Sequence, residues 1–335
     1  MKMKKTLCIV LAALLLLAMV SCGSSQAPAG GSDAPQPAGT QVADKKDGLH
    51  FVFVCPYIGL SYWSDLERGL KAADEEFGTS TDFIGPETLD TDAQISMMEA
   101  SIASGVDGIL VAPLAGVAFK PVIEKAKEQG IPVICLDADC ETDARLSYIG
   151  MDNTEAGRKA GELMVEATGG KAKIGIITGA LDQQSLTMRQ EGFEEVIGKY
   201  PDMEVVAFES ADSDMLKITE KTQTMLQAHP EIDAMFGTSQ LDMVGAAQII
   251  REKGLTGKIT LVNFDDAQEC LDLIKNGEIY GTIAQRPFVE GYLGVKYLIE
   301  AINGKEVPAR IDTGSASITT KNIDDYKKDQ ENVNI

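Results

Sequence analysis

The sequence predicts an α/β fold built as two doubly wound parallel-sheet lobes, and three observations carry that expectation. From residue 49 onward, short β-rich runs alternate with longer amphipathic windows. Repeated strand and helix units of this kind imply parallel sheets with right-handed crossovers. Several of the β-rich runs, 108–112 and 132–136 among them, are apolar throughout, as strands covered on both faces require. The alternation then lapses over 137–152, where no good helix pattern stands, so four units precede the lapse and a second series follows it. The length of 335 residues, about twice the ~150 of one domain, fits that division better than a single closed barrel.

Taken in order, strands are expected over 49–54, 81–84, 108–112, 132–136, 146–150, 173–178, 204–208, 234–237, 259–264 and 280–284. Helices are expected over 62–77, 93–103, 117–129, 154–167, 188–199, 216–228, 243–253, 267–275 and 289–303. In the second helix Ile95, Met98 and Ile102 show the helical spacing and Asp92 stands as its N-cap. The third stops at Glu128-Gln129-Gly130-Ile131-Pro132 and the eighth at Asn276-Gly277, where glycine permits the left-handed cap and proline forbids continuation.

Ahead of this body lies an export signal. Lys2, Lys4 and Lys5 precede an apolar run over 7–20, followed by Met19-Val20-Ser21-Cys22. The run is too short for a helix to cross a bilayer, which takes ~20 residues, so 1–21 reads as a signal peptide. A small residue before cysteine resembles a bacterial lipobox, which would make Cys22 the lipidated first residue of the mature protein, anchored to the membrane by more than one acyl chain. Residues 22–48, rich in Gly, Ser, Ala, Pro and Gln, are expected to form a flexible tether.

Composition narrows the chemistry. Fifty-one acidic residues against 30 basic ones give a net charge of −21, a surface that repels phosphate backbones and argues against nucleic-acid binding. The histidines are His50 and His229 alone, too few for a histidine-rich metal site or a histidine pair. Cys55, Cys135, Cys140 and Cys270 do not make a disulfide framework; Cys55 and Cys135 read as small buried hydrophobes, while a Cys135 to Cys140 bridge stays open. Asp137, Asp139, Glu141 and Asp143 alternate like the start of a calcium loop, but Thr142 and Tyr148 stand where that loop needs glycine and glutamate. No dinucleotide, P-loop, nucleophile-elbow or zinc-protease motif is present. No enzyme, cofactor or metal is therefore expected.

Open sheets place ligands at the carboxyl ends of their strands, and two facing sheets make a cleft. The strand ends here carry Tyr62 and Trp63 after the first strand, Asp137 after the fourth, Ser239 after the eighth, Asp265 after the ninth and Gln285 after the tenth. Asp137 and Asp265 each end an apolar strand, where a charge is costly without a partner. Carboxylates, amides and aromatic faces together suit a hydroxyl-rich ligand.

These features, with Tyr62-Trp63, the run 131–137, Tyr148-Ile149-Gly150-Met151-Asp152-Asn153, Met188-Arg189-Gln190-Glu191-Gly192-Phe193, Asn263-Phe264-Asp265 and Gly281-Thr282-Ile283-Ala284-Gln285, resemble the ribose-type (type 1) periplasmic sugar-binding proteins of ABC transporters. The likeness runs in order through nearly all of 49–320. It implies lobes of 49–150 plus 286–312 and 151–284 plus 315–335, joined by a three-strand hinge with crossings near 150–152, 284–286 and 312–315. It further implies Tyr62 and Trp63 as ring-stacking residues, Asp137, Asp265 and Gln285 as hydroxyl partners, and Ser239 in the place of a binding asparagine. Arginines common in ribose binders are replaced by Ala138 and about Thr187, and Arg189 matches a more structural arginine of the family. A sugar, polyol, amino sugar or nucleoside therefore stays open as the ligand. The implied protein is a monomeric, extracytoplasmic lipoprotein that delivers its ligand to a membrane ABC permease by hinge closure; a ligand-sensing module for a membrane receptor or kinase is the alternative.

Overall fold

The computed structural model of the chain describes residues 48–326; the expected leader, Cys22 and nearly all of the tether lie outside that range. The first series of elements is β1 (His50–Val54), α1 (Ser61–Phe77), β2 (Ser80–Ile84), α2 (Thr91–Ser104), β3 (Gly108–Val111), α3 (Gly116–Glu128), β4 (Val133–Leu136) and β5 (Ser147–Gly150). The second is α4 (Asn153–Thr168), β6 (Lys171–Thr178), α5 (Gln184–Ile197), β7 (Asp202–Ser210), α6 (Met215–Ala228), β8 (Ala234–Gly237), α7 (Asp242–Glu252), β9 (Thr260–Phe264), α8 (Gln268–Lys275) and β10 (Gly281–Ala284). The chain closes with α9 (Pro287–Ile302), β11 (Arg310–Asp312), β12 (Ala316–Thr319) and α10 (Ile323–Tyr326).

Two six-stranded sheets result, ordered β11-β5-β4-β3-β1-β2 and β12-β10-β9-β8-β6-β7. The same order recurs in both, so each lobe repeats the other's plan, and every pairing is parallel except β10 with β12. The chain passes from one sheet to the other between β5 and β6, returns through α9 after β10, and passes again between β11 and β12. The sequence did not reveal β11 (Arg-Ile-Asp) and β12 (Ala-Ser-Ile-Thr), because unlike the comparably short β3, β4 and β8 they carry no continuous apolar run.

Both faces of each sheet are covered, as the apolar strands demand. Phe51, Phe53 and Cys55 of the first strand region turn toward α1 and α9, while Val52 and Val54 turn toward α2 and α3. In the second lobe Ile174 and Ile176 pack with α4 and α5, and Ile177 faces the α6, α7 and α8 side. The helix N-cap of α2 is Asp90, whose side chain accepts from the Ala93 amide, with Asp92 in the first turn instead. The four cysteines among the described residues, Cys55, Cys135, Cys140 and Cys270, are buried free thiols, so Cys135 and Cys140 are not bridged.

Two helix pairs make backbone-close contacts on glycine. A Cβ on Gly69 of α1 would stand 2.0 Å from the Phe288 carbonyl oxygen of α9, and one on Gly157 of α4 would stand 2.1 Å from that of Arg189 on α5. No other residue fits at those distances, and these crossings fix where Glu290 and Arg189 stand relative to the strand ends.

Candidate binding cleft

The six residues expected at the site line one cavity between the carboxyl ends of the two sheets: Tyr62, Trp63 and Asp137 from the first lobe, Ser239 and Asp265 from the second, and Gln285 at the second crossing. Each is buried. Asp137 and Asp265 follow β4 and β9, which hold equivalent places in the two sheets, and both adopt the left-handed conformation with φ 61° and 65°. Their amides are fixed alike, Asp137 donating to the Ile149 carbonyl at 3.1 Å and Asp265 to that of Ile283 at 2.8 Å. Non-glycine residues enter that backbone region at a cost, which aspartate bears better than most.

Hydrogen bonds knit the acids to their neighbours. The Tyr62 hydroxyl donates to Asp137 Oδ1 at 2.8 Å, with Glu290 Oε2 at 3.4 Å and Gln285 Oε1 at 3.5 Å. Gln285 Nε2 donates to Asp265 Oδ1 at 2.7 Å. Glu290, from α9, also receives the Thr313 hydroxyl at 3.4 Å, beside the third crossing. Below Ser239, Asp242 Oδ2 accepts the Ser239 amide at 2.8 Å.

The electrostatics are unusual for so small a volume. Burial raises the carboxyl of Asp137, and burial raises that of Glu290 well above the usual carboxylate range, where the adjacent Asp137 adds repulsion to desolvation. Burial pushes Asp265 up to about 6, opposed by the Arg189 guanidinium and the Gln285 amide. Burial likewise pushes Asp242 up to about 7, opposed by hydrogen bonds from Ser239 and Thr238.

Arg189 keeps the structural part that the resemblance implies and adds another. Rather than serving only the lobe's framework, it lines the cavity and is the buried cation among the described residues. Its Nε donates to Asn153 Oδ1 at 2.9 Å and a terminal nitrogen to the Thr238 carbonyl at 3.0 Å, while its guanidinium lies 4.7 Å from the centre of the Phe264 ring. One guanidinium therefore serves the charges of Asp137 and Asp265 together. Ala138 and Thr187 contribute nothing to the lining.

Tyr57 and Gln240, which stand at the same strand ends but are not among the six residues singled out, also line the cavity. They bring unsatisfied polar atoms. Trp63 Nε1 and Gln240 Oε1 are buried without a partner, and Tyr57 Oη and Ser239 Oγ have none in hydrogen-bonding geometry, only looser approaches to Ser213 and Asp242. Buried polar atoms left this way cost free energy, and the set holds both a donor and an acceptor. A hydroxyl answers both. Trp63 meets Tyr62 edge-on at 4.8 Å between ring centres and packs on Phe53 at 6.0 Å.

The cavity is small, about 40 Å³, against roughly 300–1,000 Å³ for ligand pockets, so the lobes must part for a solute to enter. It shares Tyr57, Leu89 and Ser213 with an adjoining mouth of about 540 Å³ lined by Glu87, Asp182, Asp212 and Asp214. A larger groove of about 790 Å³ lies elsewhere, between 102–107, 127–133, 143–146 and α9. None of its charged residues is buried, and it sits at the amino ends of strands, away from where open sheets bind. Asp139 is engaged by Arg145 through two bonds of 2.6 and 2.9 Å, which accounts for part of the carboxylate run that resembled a calcium loop. Among the described residues no cluster of His, Cys, Asp or Glu could hold a metal ion.

Comparisons with known proteins agree with this geometry. Residues 51–306 match the family model described as a periplasmic binding protein domain. The xylitol-binding protein of Mycolicibacterium smegmatis is 29% identical over 236 residues, 70% of this chain and 67% of that protein. The crystal structure of GanP, a glucose-galactose binding protein from Geobacillus stearothermophilus, superposes with a TM-score of 0.79 at 34% identity, covering 82% of this chain and 99% of its own. An ABC transporter solute-binding protein from Burkholderia graminis, solved in complex with D-arabinose, gives 0.80 at 30% identity over 83% and 97%. With the family model covering most of the chain and the whole two-lobed body superposing on binding proteins, this chain belongs to the periplasmic binding protein family.

Proposed function

We propose that the protein captures a small uncharged polyhydroxy solute, a sugar or a polyol, between its lobes and presents the closed form to an ABC permease. It is a binding protein and not an enzyme. The observation that carries the ligand class is the set of unpartnered buried atoms around the cavity, Trp63 Nε1 and Gln240 Oε1 above all. They ask for a group that accepts and donates at once, flanked by Asp137 and Asp265 as acceptors for further hydroxyls. The names of the relatives, which bind xylitol, glucose, galactose and arabinose, support the same class. Tyr62 and Trp63 bring aromatic surface to the first-lobe wall of the cavity, to be reached by a ring once the lobes part, and Arg189 brings a guanidinium from the opposite lobe. A thermal-shift screen against pentoses, hexoses, polyols, amino sugars and nucleosides tests this. Stabilisation by a neutral sugar or polyol is expected; stabilisation by nucleosides alone would overturn the class.

Membrane attachment through a lipid on Cys22 belongs to the same proposal. Its support is the lysine-led apolar run ending in Met19-Val20-Ser21-Cys22. Changing Cys22→Ser is expected to move the protein from the membrane fraction to the soluble extracytoplasmic fraction, and unchanged fractionation would contradict the anchor.

A further inference from the structure

Gln240 stands between β8 and α7 on the second lobe, 3% exposed. Its backbone is held rigidly: the Gln240 carbonyl accepts from Asn263 Nδ2 at 3.1 Å, and Asn263 Oδ1 receives the Met243 amide at 3.2 Å. The side-chain amide then divides its two ends. Nε2 donates across the cleft to Ser61 Oγ at 3.1 Å, at the first residue of α1 on the other lobe. Oε1 is buried in the wall of the cavity with no partner.

An amide that has spent one end on the opposite lobe and left the other unsatisfied is costly in the closed protein, because a buried acceptor loses its hydration without replacement. The cost disappears when a donor occupies the cavity. We infer that Gln240 couples closure to occupancy: Oε1 accepts a hydroxyl of the bound solute while Nε2 latches Ser61, so the cross-cleft bond is strongest when the solute is present. This rests on the polyhydroxy-solute reading of the cavity. A closed form whose latch is penalised when empty and satisfied when filled has the differential affinity that shifts a two-state equilibrium toward closure.

Ser61 is exposed, so Ser61→Ala removes the latch without disturbing the core, whereas Gln240→Leu removes both ends. Affinity and dissociation rate are to be measured on the full chain with the tightest binder among D-glucose, D-galactose, D-arabinose and xylitol. Gln240→Leu is expected to weaken binding ~10- to 100-fold, and Ser61→Ala ~3- to 10-fold through faster dissociation, each bond being worth ~1 kcal/mol or somewhat more. In the Gln240→Leu background, Ser61→Ala should then have no further effect, since its partner is already gone. The coupling is overturned if the wild type binds but Gln240→Leu and Ser61→Ala each stay within twofold of it, or if the two losses simply multiply. Should Gln240→Leu fail to fold, the Ser61→Ala dissociation rate decides alone: a rate equal to wild type refutes the latch. If the wild type binds none of the four, the same measurements are made with whichever neutral sugar or polyol stabilises it in the thermal-shift screen; if none does, the reading of the cavity fails, and the inference with it.

Discussion

Asp242, one residue inside α7, shows how the cleft loads acidity that the fold must carry. It is wholly buried, its Oδ1 has no partner, and burial pushes it up to about 7; Asp265 and Asp266 follow at about 6. An unfolded aspartate titrates near 4. Between those values the folded protein binds more protons than the unfolded one, so stability falls as pH rises from about 4 to about 7. Asp242→Asn removes part of that dependence while keeping an acceptor for the Ser239 amide. Melting temperature of the ligand-free wild type should therefore drop between pH 5 and pH 8, and that of Asp242→Asn should drop several degrees less. Parallel profiles for the two proteins would contradict the assignment. At this scale Asp137, Ser239, Asp265 and Gln285 could be placed at the cavity from sequence because each lies within two residues of the end of an apolar strand, and Tyr62 and Trp63 because they open the helix that follows the first strand. Arg189 could not, because it stands in the second turn of a helix and reaches the cavity only by laying its guanidinium over Phe264.

The elements that hold those residues are set by helix crossings more than by propensity. Helix α5 presents Arg189 because α4 approaches it at backbone distance, with Gly157 under the Arg189 carbonyl and Gly192 under that of Thr154. Gly157→Ala would put a methyl group 2.1 Å from that oxygen, and the helices would have to separate. A loss of ~1–3 kcal/mol is expected for such overpacking, together with weaker solute binding as Arg189 moves. Denaturant melts and a binding titration check both; a variant with wild-type midpoint and affinity would show that the crossing does not position the arginine. The strands and main helices were legible because apolar runs and amphipathic windows are long enough to display a period. The Asp90 cap was misread as Asp92 because two aspartates flank Thr91, and only the bond from the Ala93 amide distinguishes them. Strands β11 and β12 depend on pairing with β5 and β10, a long-range relation that their mixed polar sequences do not display.

For the whole molecule, the repeated strand order places Asp137 and Asp265 at matching ends of two sheets, with Gln285 and Thr313 beside the passages that join them. Cavity-lining groups thus sit on both lobes and at the joints between them. A solute touching all three stabilises the closed arrangement over the open one. The adjoining mouth sets Glu87, Asp182, Asp212 and Asp214 against Lys217, which pairs with Asp212 at 2.7 Å, an acidic balance that disfavours anionic solutes there. Whether the lobes close on an uncharged polyhydroxy solute is decided by calorimetric titration of the wild type and of Asp265→Asn. Asparagine keeps the left-handed backbone at that position but surrenders the charged acceptor. The account predicts one-to-one binding of a neutral sugar or polyol by the wild type and at least a ~10-fold loss in the variant, about 1.4 kcal/mol. Equal affinity in the two proteins, or no binding of any neutral polyhydroxy solute by the wild type, would contradict it.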